Sequence, residues 1–262
     1  MKEHSGRFLL FGGGAAIRSP GHPFLGQFVE KAGGPQIQIA ILTAGSEEAA
    51  EINAIYWQLF TELGVSRLLS PIINNREDAN QDSIAHLVAE SDAIFIAGGA
   101  QSKLIMNLAG TAIERAIRDV HAKGGLLGGT SSGSSLFGHP LILDGGTRDS
   151  HLLKGMIEYC GGFEMIGGDS AVDTHCSSRG RFPRLLSLLI EHPSIQAIGM
   201  DEDTALFIDP NGIASVFGYN SVYILDALAG STNADHFCAS GIQIHCLRND
   251  DRYDIVARKK LT

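Results

Sequence analysis

The stretch Gly124 to Gly138 reads Gly-Gly-Leu-Leu-Gly-Gly-Thr-Ser-Ser-Gly-Ser-Ser-Leu-Phe-Gly, and it limits what the rest of the chain can be. A short apolar run closed by two glycines is a buried strand ending in a tight turn, and the small residues after it lead into a predicted helix. Gly129, Ser131 and Gly133 fit Gly-x-Ser-x-Gly, the nucleophile elbow. The spacing has a steric reason, because a serine held on a sharp turn needs tiny neighbours on both sides. Its hydroxyl then points outward, the backbone N–H of Ser132 faces the same spot, and a helix N-terminus adds positive potential. That combination suits acyl transfer. With 32 glycines among 262 residues the pattern also arises by chance, so the partners of Ser131 must decide its meaning.

The same strand-turn-helix order recurs upstream. Arg7 to Phe11 is an apolar run closed by Gly12, Gly13 and Gly14, and Phe24 to Ala32 has helical spacing. Gln36 to Ala44 is predicted as a buried parallel strand, Glu47 to Leu63 as a helix, Val65 to Ile72 as a strand and Asp82 to Ala89 as a helix. Ala93 to Ala97 is a strand stopped by Gly98 and Gly99, and Lys103 to Lys123 one long amphipathic helix. Four such alternations before the elbow strand predict a doubly wound, mostly parallel α/β sheet. Ligands in such sheets sit at the carboxyl ends of strands, where Gly12 to Gly14, Gly98 with Gly99, and Ser131 all fall. The first glycine cluster lacks the full Gly-x-Gly-x-x-Gly, and no suitably placed acid closes the second strand, so a dinucleotide site is not expected.

Beyond the elbow the pattern changes. Phe182 to Ile190 is helical, and Ile195 to Met200, Thr204 to Asp209, Ile213 to Phe217 and Ser221 to Ala227 read as strands, with a turn at Asp209-Pro210-Asn211-Gly212. Ile242 to Leu247 and Tyr253 to Arg258 are expected to pair as a closing hairpin. No linker or repeat interrupts the chain, which predicts one domain over residues 1–262 with a mixed C-terminal extension.

Composition removes several function classes. The net charge of −9, with basic residues clustered only at Arg258 to Lys260, disfavours nucleic-acid binding. No apolar segment approaches the roughly 18 to 20 residues that span a bilayer. The four cysteines, Cys160, Cys176, Cys238 and Cys246, form no Cys-x-x-Cys pair and no zinc spacing, so free thiols and a cytoplasmic location are expected.

A serine nucleophile needs a base, and the base needs an acid to orient it. His175 lies where a strand gives way to a polar loop, and Glu202 lies between Asp201 and Asp203 in a turn between strands. Chemistry alone does not say which of the three acids faces inward. The stretches that carry these residues also carry a resemblance. Gly128-Gly129-Thr130-Ser131-Ser132-Gly133-Ser134, Asp173-x-His175 with Arg179-Gly180-Arg181-x-x-Arg184-Leu185, and Gly199-x-Asp201-Glu202-Asp203-Thr204-Ala205 together resemble the cyanophycinase family. These are intracellular serine peptidases related to aspartyl dipeptidase, and the resemblance runs from the first strand to about Ala227.

The resemblance implies a flavodoxin-like fold of the class I glutamine amidotransferase kind, with Ser131 as nucleophile, His175 as general base and Glu202 as orienting acid. It implies an oxyanion hole from backbone N–H groups of Ser132 and of the Gly98-Gly99 turn, Gly99 in particular, and neither metal nor cofactor. The implied substrate is cyanophycin, a polyaspartate with arginine on each β-carboxyl, cut to β-aspartyl-arginine dipeptides by a homodimer. Gln101, Asp173, Thr174, Arg179, Arg181 and Arg184 match the substrate-binding positions. Three positions depart from the family pattern: Ala100 stands for aspartate, Thr174 for glutamine and Cys176 for phenylalanine. They leave open a relative with the same triad that cuts other aspartyl or acidic peptides. An α/β-hydrolase esterase would need its acid between Ser131 and the base, where Asp144 and Asp149 are available, and a non-catalytic binding module would not need the triad.

Overall fold

Apolar runs too short for helices set the strands, and the computed structural model of the protein describes residues 6–14, 23–146, 152–167 and 169–262. Asp149 lies outside them. The chain divides into two compact units. Met1–Leu10, Ala15–Gly133 and Phe207–Asn211 make up the first, and Phe11–Gly14, Ser134–Leu206 and Gly212–Thr262 the second. Among the described residues, the chain passes between the units inside strands at Leu10/Phe11 and Leu206/Phe207, beside the elbow at Gly133/Ser134, and in a turn at Asn211/Gly212.

In the first unit the elements follow as β1 (Arg7–Phe11, its last residue already in the second unit), α1 (Pro23–Ala32), β2 (Gln38–Leu42), α2 (Ala49–Glu62), β3 (Arg67–Leu69), α3 (Arg76–Ala79), α4 (Asp82–Ala89), β4 (Ala93–Ile96), α5 (Gln101–Leu108), α6 (Ala112–Ala122), β5 (Leu126–Thr130) and the start of α7 (Ser132–Ser135). Their sheet has the order β1-β5-β4-β2-β3. β2 runs parallel to both β3 and β4, and β4 parallel to β5. This is a mixed α/β fold on a mostly parallel sheet. Residues Phe8 to Phe11 of β1, Ile39 to Leu42 of β2 and all of β4 are apolar and buried because both faces of these strands are covered, whereas β3 at the edge is partly exposed. Phe95 on β4, for example, meets Phe28 of α1 and Tyr56 and Phe60 of α2 at centroid distances of 5.4, 4.9 and 5.5 Å.

The single helix expected over Lys103 to Lys123 is two helices. Its apolar spacing runs on across Gly110, but Gly110 adopts φ 71° and α6 starts afresh. Thr111 Oγ1 accepts the Glu114 N–H at 3.4 Å, and the Glu114 carboxylate accepts the Gly110 N–H at 2.6 Å. This reciprocal arrangement is close to a capping box, and it outweighs the continuous periodicity.

The second unit carries β6 (Leu141–Gly145), β7 (Ile157–Cys160), β8 (Ser170–Thr174), α8 (Phe182–Glu191), β9 (Gln196–Met200), the first part of β10 (Thr204–Ile208), β11 (Ile213–Gly218), β12 (Val222–Asp226), β13 (Ser231–Asn233), β14 (Cys238–Ser240), β15 (Gln243–Leu247), β16 (Arg252–Asp254) and β17 (Lys259–Leu261). A four-stranded sheet has the order β15-β12-β9-β8, with β8 parallel to β9. Leu185, Leu188 and Leu189 of α8 pack with Ile142, Ile157, Ala197 and Leu225 in the core of this unit. The closing hairpin is not formed. β15 pairs with β12, whereas β16 pairs with β11 and β17. Alternation predicts that a segment is a strand but not which edge accepts it. Among the described residues no helix is long and apolar enough to cross a membrane.

Candidate active site

Ser131 follows the last residue of β5 and adopts φ 56°, a left-handed conformation that a residue with a Cβ rarely takes outside a constrained turn. The flanking glycines are required by contact. A Cβ on Gly129 would come within 2.6 Å of the Gly133 backbone, and one on Gly133 would collide with the Ile96 carbonyl. Gly98, at the end of β4, abuts the serine, since a Cβ there would lie 3.1 Å from Ser131 Cβ. The side chain of Ser132 clamps the adjoining turn: Ser132 Oγ accepts the Gly99 N–H at 2.8 Å and donates to the Gly99 carbonyl at 2.9 Å. Two expectations bear on this turn. The Gly99 N–H, expected in the oxyanion hole, is already held by a side chain. The helix after the elbow, α7, is a single turn of four residues, so it lacks the aligned peptides that give a long helix its terminal potential.

His175 follows β8, adopts φ 55° and is 6% exposed. Its backbone N–H donates to the Gly12 carbonyl at 3.1 Å. The three acids after β9 have different fates. Asp201 accepts the backbone N–H groups of Ser177 at 2.8 Å and Ser221 at 3.4 Å. Asp203 takes φ 54° and donates its N–H to the Gly13 carbonyl at 2.9 Å. Glu202 is the acid that meets the histidine, with Nδ1 and Oε1 2.6 Å apart. A carboxylate only accepts, so the imidazole proton is on Nδ1 and the lone pair on Nε2.

Burial lowers the His175 pKa from its ordinary value; the hydrogen bond to Glu202 opposes that shift, while Arg179 and Arg181 add to it. The same hydrogen bond holds the Glu202 carboxyl below its usual range. Near neutral pH the pair is a neutral imidazole on an ionised carboxylate, the state a general base requires. The glycine cluster rejected as a dinucleotide loop serves this pair. Gly13 adopts φ 96°, and a Cβ there would run into the His175 ring. The composition of the cluster was visible in the sequence, but its partner, 162 positions away from Gly13 at His175, was not.

The residues expected to hold substrate fall into two groups. Asp173 and Arg184 are both buried and paired: Nε of Arg184 donates to Oδ2 of Asp173 at 2.5 Å, Nη2 donates to Oδ1, and Nη1 donates to the Gly145 carbonyl at 3.2 Å. Arg181 joins them from 3.4 Å and donates to the Thr174 carbonyl at 2.9 Å. Desolvation brings its pKa down to about 10. The forked donors of Arg184, expected on substrate carboxylates, are thus taken within the protein, where they fix the end of β8 beneath His175. Arg179 is exposed, and its N–H donates to the His175 carbonyl at 3.1 Å. Thr174 is buried, and Gln101 is the half-buried first residue of α5. Asp144 is exposed and accepts the N–H of its neighbour Gly145 at 2.7 Å. Ser131, Ser132, Gly99 and Gln101 belong to the first unit; Asp173, Thr174, His175, Arg179, Arg181, Arg184 and Glu202 belong to the second.

The first unit presents a strained serine on a glycine-flanked elbow and the second a neutral histidine hydrogen-bonded to a glutamate, residue types that acyl transfer uses. Comparison with known proteins supplies the relationship: the profile of Peptidase family S51 matches residues 8–216. The chain belongs to this family. Its relatives include a cyanophycinase of Geminocystis herdmanii, 32% identical over 97% of this chain and 96% of its own length. Another, from Synechococcus elongatus, is 28% identical over 97% of this chain and 81% of its own. Among solved structures, a peptidase from an acI-B1 Actinobacterium superposes with a TM-score of 0.68 at 22% identity, covering 95% of this chain and 96% of that one. A putative peptidase E from Listeria monocytogenes gives 0.57 at 14% identity, covering 82% and 99%. The fold is therefore shared with these peptidases. This S51 chain is a serine-type peptidase, a hydrolase.

Proposed function

We propose that this peptidase hydrolyses cyanophycin to β-aspartyl-arginine dipeptides through Ser131, His175 and Glu202. The observation that carries the reading is the 2.6 Å contact between His175 Nδ1 and Glu202 Oε1, in a chain whose relatives over nearly its whole length are named cyanophycinases. Nε2 of His175 takes the Ser131 proton as Oγ attacks the scissile carbonyl. The oxyanion that forms is stabilised by the Ser132 N–H, with Gly98 supplying the neighbouring backbone in place of the engaged Gly99. The imidazolium then gives its proton to the leaving amine, an acyl-enzyme remains, and water activated by His175 hydrolyses it. Glu202 stabilises the imidazolium and stays ionised.

For substrate recognition we assign Arg179 as the direct ligand of substrate carboxylates, because it is exposed beside the base. Gln101 is assigned to the same task. Arg181, Arg184, Asp173 and Thr174 support the base from beneath. The proposal extends to a homodimer acting in the cytoplasm. Departures at Ala100, Thr174 and Cys176 favour a second reading, the same chemistry on other aspartyl peptides. Release of soluble dipeptide from insoluble cyanophycin, measured for the native protein and for Ser131→Ala, tests both. Release by the native protein alone establishes substrate and nucleophile together. Failure on cyanophycin with Ser131-dependent cleavage of α- or β-aspartyl peptides selects the second reading.

A further inference from the structure

The Glu202 side chain is 34% exposed and hangs from the turn between β9 and β10. A glutamate there has several rotamers open to it, and confining it to one costs conformational entropy unless a second contact shares the task. Ser178 makes that contact. Its hydroxyl lies 2.9 Å from Oε1 of Glu202, the same oxygen that meets His175 Nδ1, and 3.4 Å from the His175 carbonyl. A serine hydroxyl has one proton to give, and the nearer, charged acceptor takes it.

Both ends of this contact are anchored. On one side, the N–H of the preceding residue Ser177 donates to Asp201 at 2.8 Å, and its hydroxyl lies 3.3 Å from that of Tyr223. On the other, the Glu202 carbonyl accepts from Asn220 Nδ2 at 2.9 Å and from Thr204 Oγ1 at 3.2 Å, and the Asn220 N–H returns to Thr204 Oγ1 at 3.0 Å. The main chain of the acid is thus fixed by Asn220 and Thr204, and its carboxylate by Ser178.

We propose that Ser178 is a positioning residue: by holding Oε1 of Glu202, it keeps the carboxylate in the one orientation that retains the imidazole proton on Nδ1 and the lone pair on Nε2. This rests on His175 and Glu202 acting as base and acid. Because Ser178 is exposed, its replacement leaves the core intact. The test compares native protein, Ser178→Ala, Ser178→Thr and His175→Ala by two readouts. One is the rate at which a fluorophosphonate labels Ser131; the other is the proton resonance of His175 Nδ1, far downfield when hydrogen-bonded to a carboxylate. Ser178→Ala is expected to slow labelling about tenfold, as loss of a hydrogen bond to a charged group allows, and to move the resonance upfield or broaden it. Ser178→Thr restores both. Native labelling rate and native resonance in Ser178→Ala overturn the proposal. Labelling undiminished in His175→Ala instead sinks the triad, while the resonance still reports on Ser178 without any turnover.

Discussion

At the scale of single residues, two features that a substitution can remove hold His175, the proposed base: Gly13 and Glu202. Gly13 is the less conspicuous of the two. Its φ of 96° and its approach to the His175 ring leave no room for a methyl group, so Gly13→Ala is expected to displace the imidazole and lower kcat/KM by about 100-fold, the order of loss that a misplacement near 1 Å causes. Its far-ultraviolet circular dichroism should remain native, and a variant with native kcat/KM would show that the ring tolerates the methyl. Glu202→Gln keeps the shape but removes the charge and lets an amide N–H face Nδ1, which permits the wrong tautomer, and kcat should fall on the order of 10³ to 10⁴-fold. Because burial and the two arginines lower the His175 pKa, the acid limb of kcat/KM should fall below the ordinary histidine value of about 6.5. A limb above 7 would mean that the Glu202 hydrogen bond outweighs burial.

At the scale of elements, β8 and α8 are joined by the pair of Asp173 and Arg184, both inside the protein. Removing one partner leaves an uncompensated charge there, so Asp173→Asn should destabilise the protein by about 3 to 5 kcal/mol, measured as a shift of the urea midpoint. A loss below 1 kcal/mol would mean that Arg184 reaches solvent instead. These elements also mark how far periodicity carries. The strands ending at Phe11, Leu42, Ile96 and Thr130 were legible because a strand buried on both faces is uniformly apolar. The α5 and α6 break was not, since a cap formed by Thr111 and Glu114 leaves the apolar spacing unchanged. Nor was the separation of β15 from β16, because strand pairing depends on which edge lies near rather than on composition.

At the scale of the molecule, stability should fall on acidification. His175 is held neutral, so the unfolded chain binds the proton more readily, and stability rises with pH across the window between the lowered folded value and the unfolded value near 6.5. The lowered Glu202 value acts in the same direction at more acidic pH, its stabilisation being lost as pH falls through the folded value. Urea midpoints at pH 5.5 and 7.5 should therefore differ more for the native protein than for His175→Gln. Equal differences would mean that His175 makes no contribution.

The sequence by itself determined the alternating α/β order, the elbow around Ser131 and the positions of His175 and Glu202, because backbone sterics, local periodicity and short spacings are properties of neighbouring residues. Spacing and chemistry did not decide which of three consecutive acids meets the histidine, a choice that came only through the family resemblance, and nothing in the sequence showed that Gly13 packs against the ring or that Arg184 is paired internally. Those depend on segments distant in the chain being brought together, and tertiary packing alone selects which polar groups are partnered on burial and which remain available to a substrate.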